Sequence, residues 1–254
     1  MPQSGENMLN IDKRGSADDF LMEPYSDNCR ALCDLGEHAL VGVSPGNGYF
    51  SEERLRLLLD WMSRAFDRVD AVVPDSSLVH TYQALGTPPE QAWNWAQRDA
   101  RRMHRRIERA WQDSGMQQSK HRIRKLSEFT EHPSYQSLIQ QVEQEIARDQ
   151  SVKEVFVGAA HSALTSQLKG SEPSPAQAEE AARYLIAEMP LCIDTPSVLD
   201  VATSVCVYHR VLPITQLTFT PGALHCSSRQ AFALVRERGQ DAEPLSVSAG
   251  ESKP

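Results

Sequence analysis

The chain of 254 residues lacks paired Cys-x-x-Cys spacing and any apolar run near the length that crosses a bilayer. It also lacks an N-terminal apolar core of the kind that directs secretion. Its five cysteines, Cys29, Cys33, Cys192, Cys206 and Cys226, are odd in number and scattered. That pattern argues against a disulfide frame and against a structural zinc site. No internal repeat is visible. The expectation is a cytoplasmic protein with reduced thiols, no membrane attachment and no metal.

What is present is a globular composition, 40% hydrophobic, at a length suited to one large α/β domain. The two ends are polar, rich in Gly, Ser and Pro, and without periodicity, so residues 1–20 and 239–254 are expected to be mobile tails around a domain spanning 21–238. The formal net charge of -8 conceals a local reversal. Between Arg98 and Lys125 stand eight arginines and two lysines against only Asp99, Glu108 and Asp113. A basic island on an acidic protein points to a localised polyanion site.

Along the chain, "HALVGVS" (38–44) reads as a short buried strand and "SEERLRLLLDWMSRAFDRV" as a helix capped by Ser51. "DAVVPD" (70–75) is a second strand, so the segment is a βαβ unit with a parallel, right-handed connection. Residues 88–112 are expected as a long helix, 121–129 as a strand, 133–167 as one or two helices and 174–190 as another. "SVCVYHRVLP" (204–213) reads as a strand and "SRQAFALVRER" (228–238) as a closing helix. The alternation predicts an α/β fold: one Rossmann-like domain with a parallel central sheet and helices on both faces. Ligands of such sheets sit at the carboxyl ends of the strands, where Ser44 falls.

Three groups of residues carry chemistry. In "GVSPGNGYF", Gly42 and Gly46 flank Ser44 in the Gly-x-Ser-x-Gly pattern of an exposed nucleophile, although Ser, Pro, Gly and Asn are also ordinary turn residues. In "SPAQAEEAARYLIAEMP", Ser174 and Gln177 form a capping box, and Tyr184 and Glu188 share one helix face. Glu188 has apolar neighbours; buried, it would suit proton transfer near neutral pH, and exposed, it would be a solvated surface group. Pro190 marks an end or a kink. In "AQRDARRMHRRIERAWQ", Arg98, Arg101, Arg102, Arg105, Arg106 and Arg109 fall within an arc of roughly 140°. Acids are nearly absent from this face, so intrahelical pairing is not expected to account for it. A phosphate backbone would, and a merely solvated face is the alternative.

Together these motifs resemble those of the cyclodipeptide synthases, over about His38 to Pro213. The resemblance rests on Gly42-Val43-Ser44 with Asn47 and Tyr49-Phe50 after it, on Tyr184-x-x-x-Glu188-x-Pro190, and on Tyr208-His209, in that order with the arginine helix between. Asn47 combined with Tyr208-His209 is similar to the Asn-Tyr-His branch of the family. "HTYQALG" (80–86) is also similar. The resemblance implies a fold similar to the catalytic domains of class I tyrosyl- and tryptophanyl-tRNA synthetases, and a reaction that turns two aminoacyl-tRNAs into a cyclic dipeptide. No ATP-binding signature of those synthetases is found, consistent with substrates that arrive already activated; neither ATP nor a metal cofactor is implied.

On that resemblance Ser44 would carry the first aminoacyl group in a ping-pong reaction. Tyr184 and Glu188 would hold the amino group, with Glu188 relaying protons, and Tyr208 would assist ring closure. Asn47 would position substrate and His209 would support the site. Leu40, Gly42, Val72, Leu191 and Cys206 would line the first aminoacyl pocket; all are apolar or small, so a hydrophobic first residue is expected. The arginine stripe would hold the tRNA backbone. A monomer or weak homodimer is expected. Two rivals stay open: a serine hydrolase of small esters, and a non-catalytic tRNA-binding relative.

Overall fold

His38–Gly42 forms the expected strand, and the computed structural model, which describes residues 20–114, 120–168 and 171–238, sets it inside a six-stranded sheet. The elements in chain order are β1 (Phe20–Pro24), α1 (Asp27–Leu35), β2 (His38–Gly42), α2 (Glu52–Ala65), β3 (Arg68–Val73), α3 (Leu78–Ala84) and α4 (Pro89–Ser114). They continue with β4 (His121–Lys125), α5 (Pro133–Arg148), α6 (Gln150–Gln167), α7 (Pro175–Leu199), β5 (Ser204–Tyr208), α8 (Pro213–Phe219) and β6 (Gln230–Glu237). The strand order is β1-β6-β5-β2-β3-β4, with β6 to β4 parallel and β1 antiparallel at one edge. The mobile-tail expectation falls on residues outside those described, apart from Phe20, which opens β1. Among the described residues no helix is long and apolar enough to cross a membrane.

Period-2 alternation decides which side each strand residue serves. Ala39, Val41 and Val43 of β2 and its exit, with Val69, Ala71 and Val73 of β3, join a core with Leu55, Leu59 and Met62 of α2 and Ile107 of α4. Leu40 and Val72 point the other way, into a cluster with Tyr135 of α5 and Leu191 of α7. Helices therefore cover both faces, as the Rossmann-like expectation required. Gly42 and Ser44 share parity with Leu40, so both face α7.

Three element assignments differ from expectation. Residues 228–238 contain a strand, β6, rather than a helix. Ala231 to Val235 are buried on both faces of the sheet, and a doubly covered strand shows a continuous apolar run instead of alternation. The strand expected at 121–129 stops at Lys125, and Leu126–Phe129 make a 3₁₀ turn. The strand expected at 204–213 stops at Tyr208, before Pro213 opens α8.

Helix α7 also runs on past Pro190. Its break comes at Asp194 (φ -153°, ψ 66°), two residues before Pro196, whose ring would crowd the carbonyl of Cys192 in an unbroken helix. Asp194 then accepts from the Ser197 backbone N–H at 3.3 Å and so caps the final turns of α7. The capping box of Ser174 and Gln177 and the Ser51 cap form as the sequence predicts.

Candidate functional site

The chain leaves β2 at Gly42, and the next five residues make the corner that presents Ser44. Gly46 has φ +81°, a left-handed conformation that favours glycine. The Asn47 backbone N–H donates to the Ser44 carbonyl at 3.3 Å, and Asn47 Oδ1 accepts from the Tyr49 N–H at 3.0 Å. A Cβ placed on Gly42 would meet nothing within 4 Å, so this position opens onto free space beside Ser44.

From the opposite side α7 delivers Tyr184, whose hydroxyl lies 3.3 Å from Ser44 Oγ. One turn on, Glu188 lies beside Tyr184. From the end of β5, Tyr208 comes close to both Ser44 and Asn47. Residues that the sequence singles out on the Ser44 corner, on α7 and on β5 thus converge. The side chain that bonds Ser44 Oγ is the Tyr184 phenol, not an imidazole, which removes the geometric basis for a hydrolase triad.

The electrostatics follow from crowding. Burial pushes the Glu188 carboxyl up to about 7, against the lowering effect of the Tyr184 hydroxyl beside it. Glu188 as a whole residue is half-buried. Burial, and then the neighbouring Glu188 charge, raise Tyr184 well above its ordinary value, and the same two causes raise Tyr208.

His209 lies beside this group in an aromatic cluster. Its ring stacks on Tyr49 at 3.9 Å and meets Phe50 edge-on at 5.7 Å, and the Arg54 guanidinium lies 4.7 Å over the Tyr49 ring. Burial, with Arg210 and Arg54 nearby, lowers the imidazole to about 4, so it is neutral at physiological pH. His209 therefore packs the Ser44 corner in place.

Leu40, Val72 and Leu191 lie together in one apolar cluster beneath Gly42, with Leu126 and Phe129. Cys206, paired in register with Leu40, reaches the same side, where its thiol neighbours that of Cys192. The Cys206 thiol, and then burial, raise the Cys192 thiol well above its ordinary value. Sequence reasoning missed Cys192, which follows Glu188 by one turn, and Tyr135, whose hydroxyl donates to the Ala187 carbonyl at 2.8 Å. The i,i+4 spacing from Glu188 was a usable signal for the first; nothing local pointed to the second. A cavity of about 310 Å³ lined by Ile146, Phe156, Glu179, Arg183 and Ile186 lies against the other face of α7. Among the described residues no group of three or more His, Cys, Asp or Glu is arranged to hold a metal ion.

Helix α4 buries Ala96, Ala100, Met103, Ile107 and Trp111 and exposes Arg98, Arg101, Arg102, Arg105 and Arg109. Arg106 turns inward and donates to the Phe50 carbonyl at 2.8 Å, and Arg109 pairs with Glu52 at 2.6 Å. The stripe is not explained by i,i+4 pairing, as expected, but Asp99 on its flank accepts from Arg98 at 3.1 Å and from Arg102, three residues on, at 3.4 Å. A tally of acids on this face understates the pairing because one carboxylate serves two guanidiniums.

Comparison with known proteins points the same way. The family model described as Cyclodipeptide synthase matches residues 20–237. A cyclo(L-tyrosyl-L-tyrosyl) synthase of Mycobacterium tuberculosis is 31% identical over 226 residues, covering 88% of this chain and 78% of that protein. A solved structure from Mycobacterium tuberculosis, described as demonstrating that cyclodipeptide synthetases are related to type I tRNA synthetases, superposes with a TM-score of 0.77 at 29% identity. It spans 92% of this chain and 99% of its own. A cyclodipeptide synthase from Candidatus Glomeribacter gigasporarum bound to Phe-tRNAPhe shares the fold, with a TM-score of 0.55 at 13% identity over 85% of this chain and 93% of that one.

Proposed function

Because this chain belongs to the cyclodipeptide synthase family, we propose that it joins two aminoacyl groups, each delivered as an aminoacyl-tRNA, into a 2,5-diketopiperazine by a ping-pong reaction through an aminoacyl ester on Ser44. The observation that carries this reading is the convergence of Ser44, Tyr184, Glu188 and Tyr208 at the carboxyl ends of the parallel strands.

Ser44 Oγ attacks the ester carbonyl of the first aminoacyl-tRNA, and its proton goes to the departing ribose oxygen of the tRNA. Tyr184 and Glu188 hold the amino group of the bound aminoacyl moiety. The amine of the second aminoacyl-tRNA then attacks the Ser44 ester. Glu188 takes the proton lost by that amine, and Ser44 Oγ leaves as the hydroxyl, giving a dipeptidyl-tRNA. Ring closure comes when the dipeptide's free amine attacks the remaining tRNA ester; Tyr208 donates to the developing charge, and the second tRNA is released. A carboxyl that titrates near 7 suits a group that must both accept and return a proton in this sequence.

Leu40, Val72 and Leu191, each 5% exposed or less, form the apolar floor below Gly42, which supports a hydrophobic first residue. Asn47 holds substrate together with Tyr208, and the pairing of Asn47 with Tyr208-His209 supports the Asn-Tyr-His branch. The exposed arginines of α4 hold the tRNA backbone without reading its sequence.

Incubating the enzyme with a set of charged tRNAs and analysing the products by mass spectrometry tests the reading. A cyclic dipeptide is expected, and Ser44→Ala is expected to abolish it while leaving tRNA binding intact. Turnover of simple esters without any diketopiperazine would overturn the proposal.

A further inference from the structure

Asp99 stands at the edge of the arginine face of α4, and its two oxygens serve different partners. Oδ1 accepts from Arg98 Nε at 3.1 Å and Arg102 Nη1 at 3.4 Å. Oδ2 accepts the hydroxyl of Tyr82, which reaches across from α3. The Tyr82 ring meets Trp95 edge-on at 5.6 Å, and the Arg98 guanidinium lies 5.7 Å over that same Trp95. The Asp99 side chain is 22% exposed, against 45% for Arg98 and 63% for Arg102. The carboxylate is thus fixed from below by a neighbouring helix, and the guanidiniums it holds are the movable members.

One anionic oxygen shared by two guanidiniums is the arrangement in which arginines bind a phosphate oxygen. We propose that Asp99 is a built-in competitor for the tRNA backbone: on docking, Arg98 and Arg102 exchange its carboxylate for a phosphodiester, while Tyr82 keeps Asp99 in place. The inference rests on the assignment of the α4 stripe to tRNA and deepens it. Such a competitor holds affinity down, and it returns the arginines to a defined resting position when the nucleic acid leaves. An enzyme that discharges two tRNAs for each product depends on their departure as much as on their capture. Tyr82 has a distinct part: by occupying Oδ2 it prevents the carboxylate from following the guanidiniums outward.

The test is the affinity of the full-length protein for unfractionated deacylated tRNA, measured across a salt series. Asp99→Asn is expected to tighten binding roughly threefold to tenfold, since two exposed ion pairs no longer have to be broken, and to steepen its salt dependence. Tyr82→Phe, which frees the carboxylate to compete, is expected to weaken binding. If Asp99 serves only to hold the arginines in shape, both variants weaken binding, and that result overturns the proposal. Arg98→Ala and Arg102→Ala distinguish the competitor from the tRNA site on which it depends. Should neither weaken binding, the stripe itself is not a tRNA site; should both weaken it while Asp99→Asn fails to tighten it, the competitor alone is rejected. Unchanged melting temperatures exclude misfolding as the cause of any shift.

Discussion

Glu188 is a carboxyl whose surroundings favour its proton, and its contribution to stability therefore depends on pH. Its folded value of about 7 lies above that of an exposed glutamate near 4.3, so between those values the folded chain binds a proton that the unfolded chain has released. Stability from this group is present at low pH and is withdrawn as pH rises through 7, by up to about 3 kcal/mol, given its partial solvent contact. Glu188→Gln is therefore expected to melt higher than the parent at pH 8 and alike at pH 4, while losing most peptide-forming activity; calorimetry at the two pH values checks the first part. In the parent, the rate of peptide formation is expected to rise through an apparent pKa near 7 as the carboxylate forms. His209 runs the other way: its lowered value means that stability falls as pH drops from about 6.5 toward 4. At this scale the sequence was informative because Ser44, Tyr184, Glu188 and Tyr208 sit in short motifs with a fixed spacing. Tyr135 and the contact between Cys192 and Cys206 were not legible, because their partners lie 52 and 14 positions apart and meet only after the sheet and helices have packed.

Among elements, α4 shows how a helix face divides its labour. Arg101 and Arg105 are exposed, Arg98 and Arg102 share Asp99, and Arg106 reaches the Phe50 carbonyl at the end of the Ser44 corner. Six arginines that look equivalent on a helical wheel are thus expected to differ in kind. Arg101→Ala should lower the salt slope of tRNA binding by about 1 if it contacts a phosphate. Arg106→Ala should leave that slope unchanged and lower kcat, because it releases the corner rather than the nucleic acid. Measuring Kd against salt and kcat side by side distinguishes them. The periodicity showed the stripe but not this division, since the acceptors come from α2, from the loop before it, and from one carboxylate on the flank. Residues 228–238 form a strand where the sequence suggests a helix for a related reason: burial on both faces of β6 erases the alternation by which a strand is recognised.

For the whole molecule, the amino ends of the central strands hold a buried polar lock. His38 of β2, Asp70 of β3 and Ser204 of β5 are each 2% exposed or less; His38 Nδ1 lies 2.8 Å from Ser204 Oγ, and Asp70 pairs with Arg68 at 2.5 Å and with His38 at 3.5 Å. Burial works against the Asp70 carboxylate, but the His38 imidazole beside it and the hydrogen-bonded Arg68 guanidinium outweigh it and hold its pKa below the ordinary value. Asp70→Asn is expected to cost about 3 kcal/mol, as for a buried pair that loses one partner, with little change in the reaction at the far ends of the strands; denaturant unfolding at pH 7 measures it. The lowered Asp70 carboxyl also means that the parent loses stability as pH falls below about 4. At the far edge, β4 presents Arg122, Arg124 and Lys125, with Arg124 paired to Glu128 at 2.7 Å, and among the described residues no strand pairs on its outer side. Two copies brought edge to edge would set these like charges against each other, so the same cations that make the chain locally basic also keep a continuous sheet from propagating between molecules.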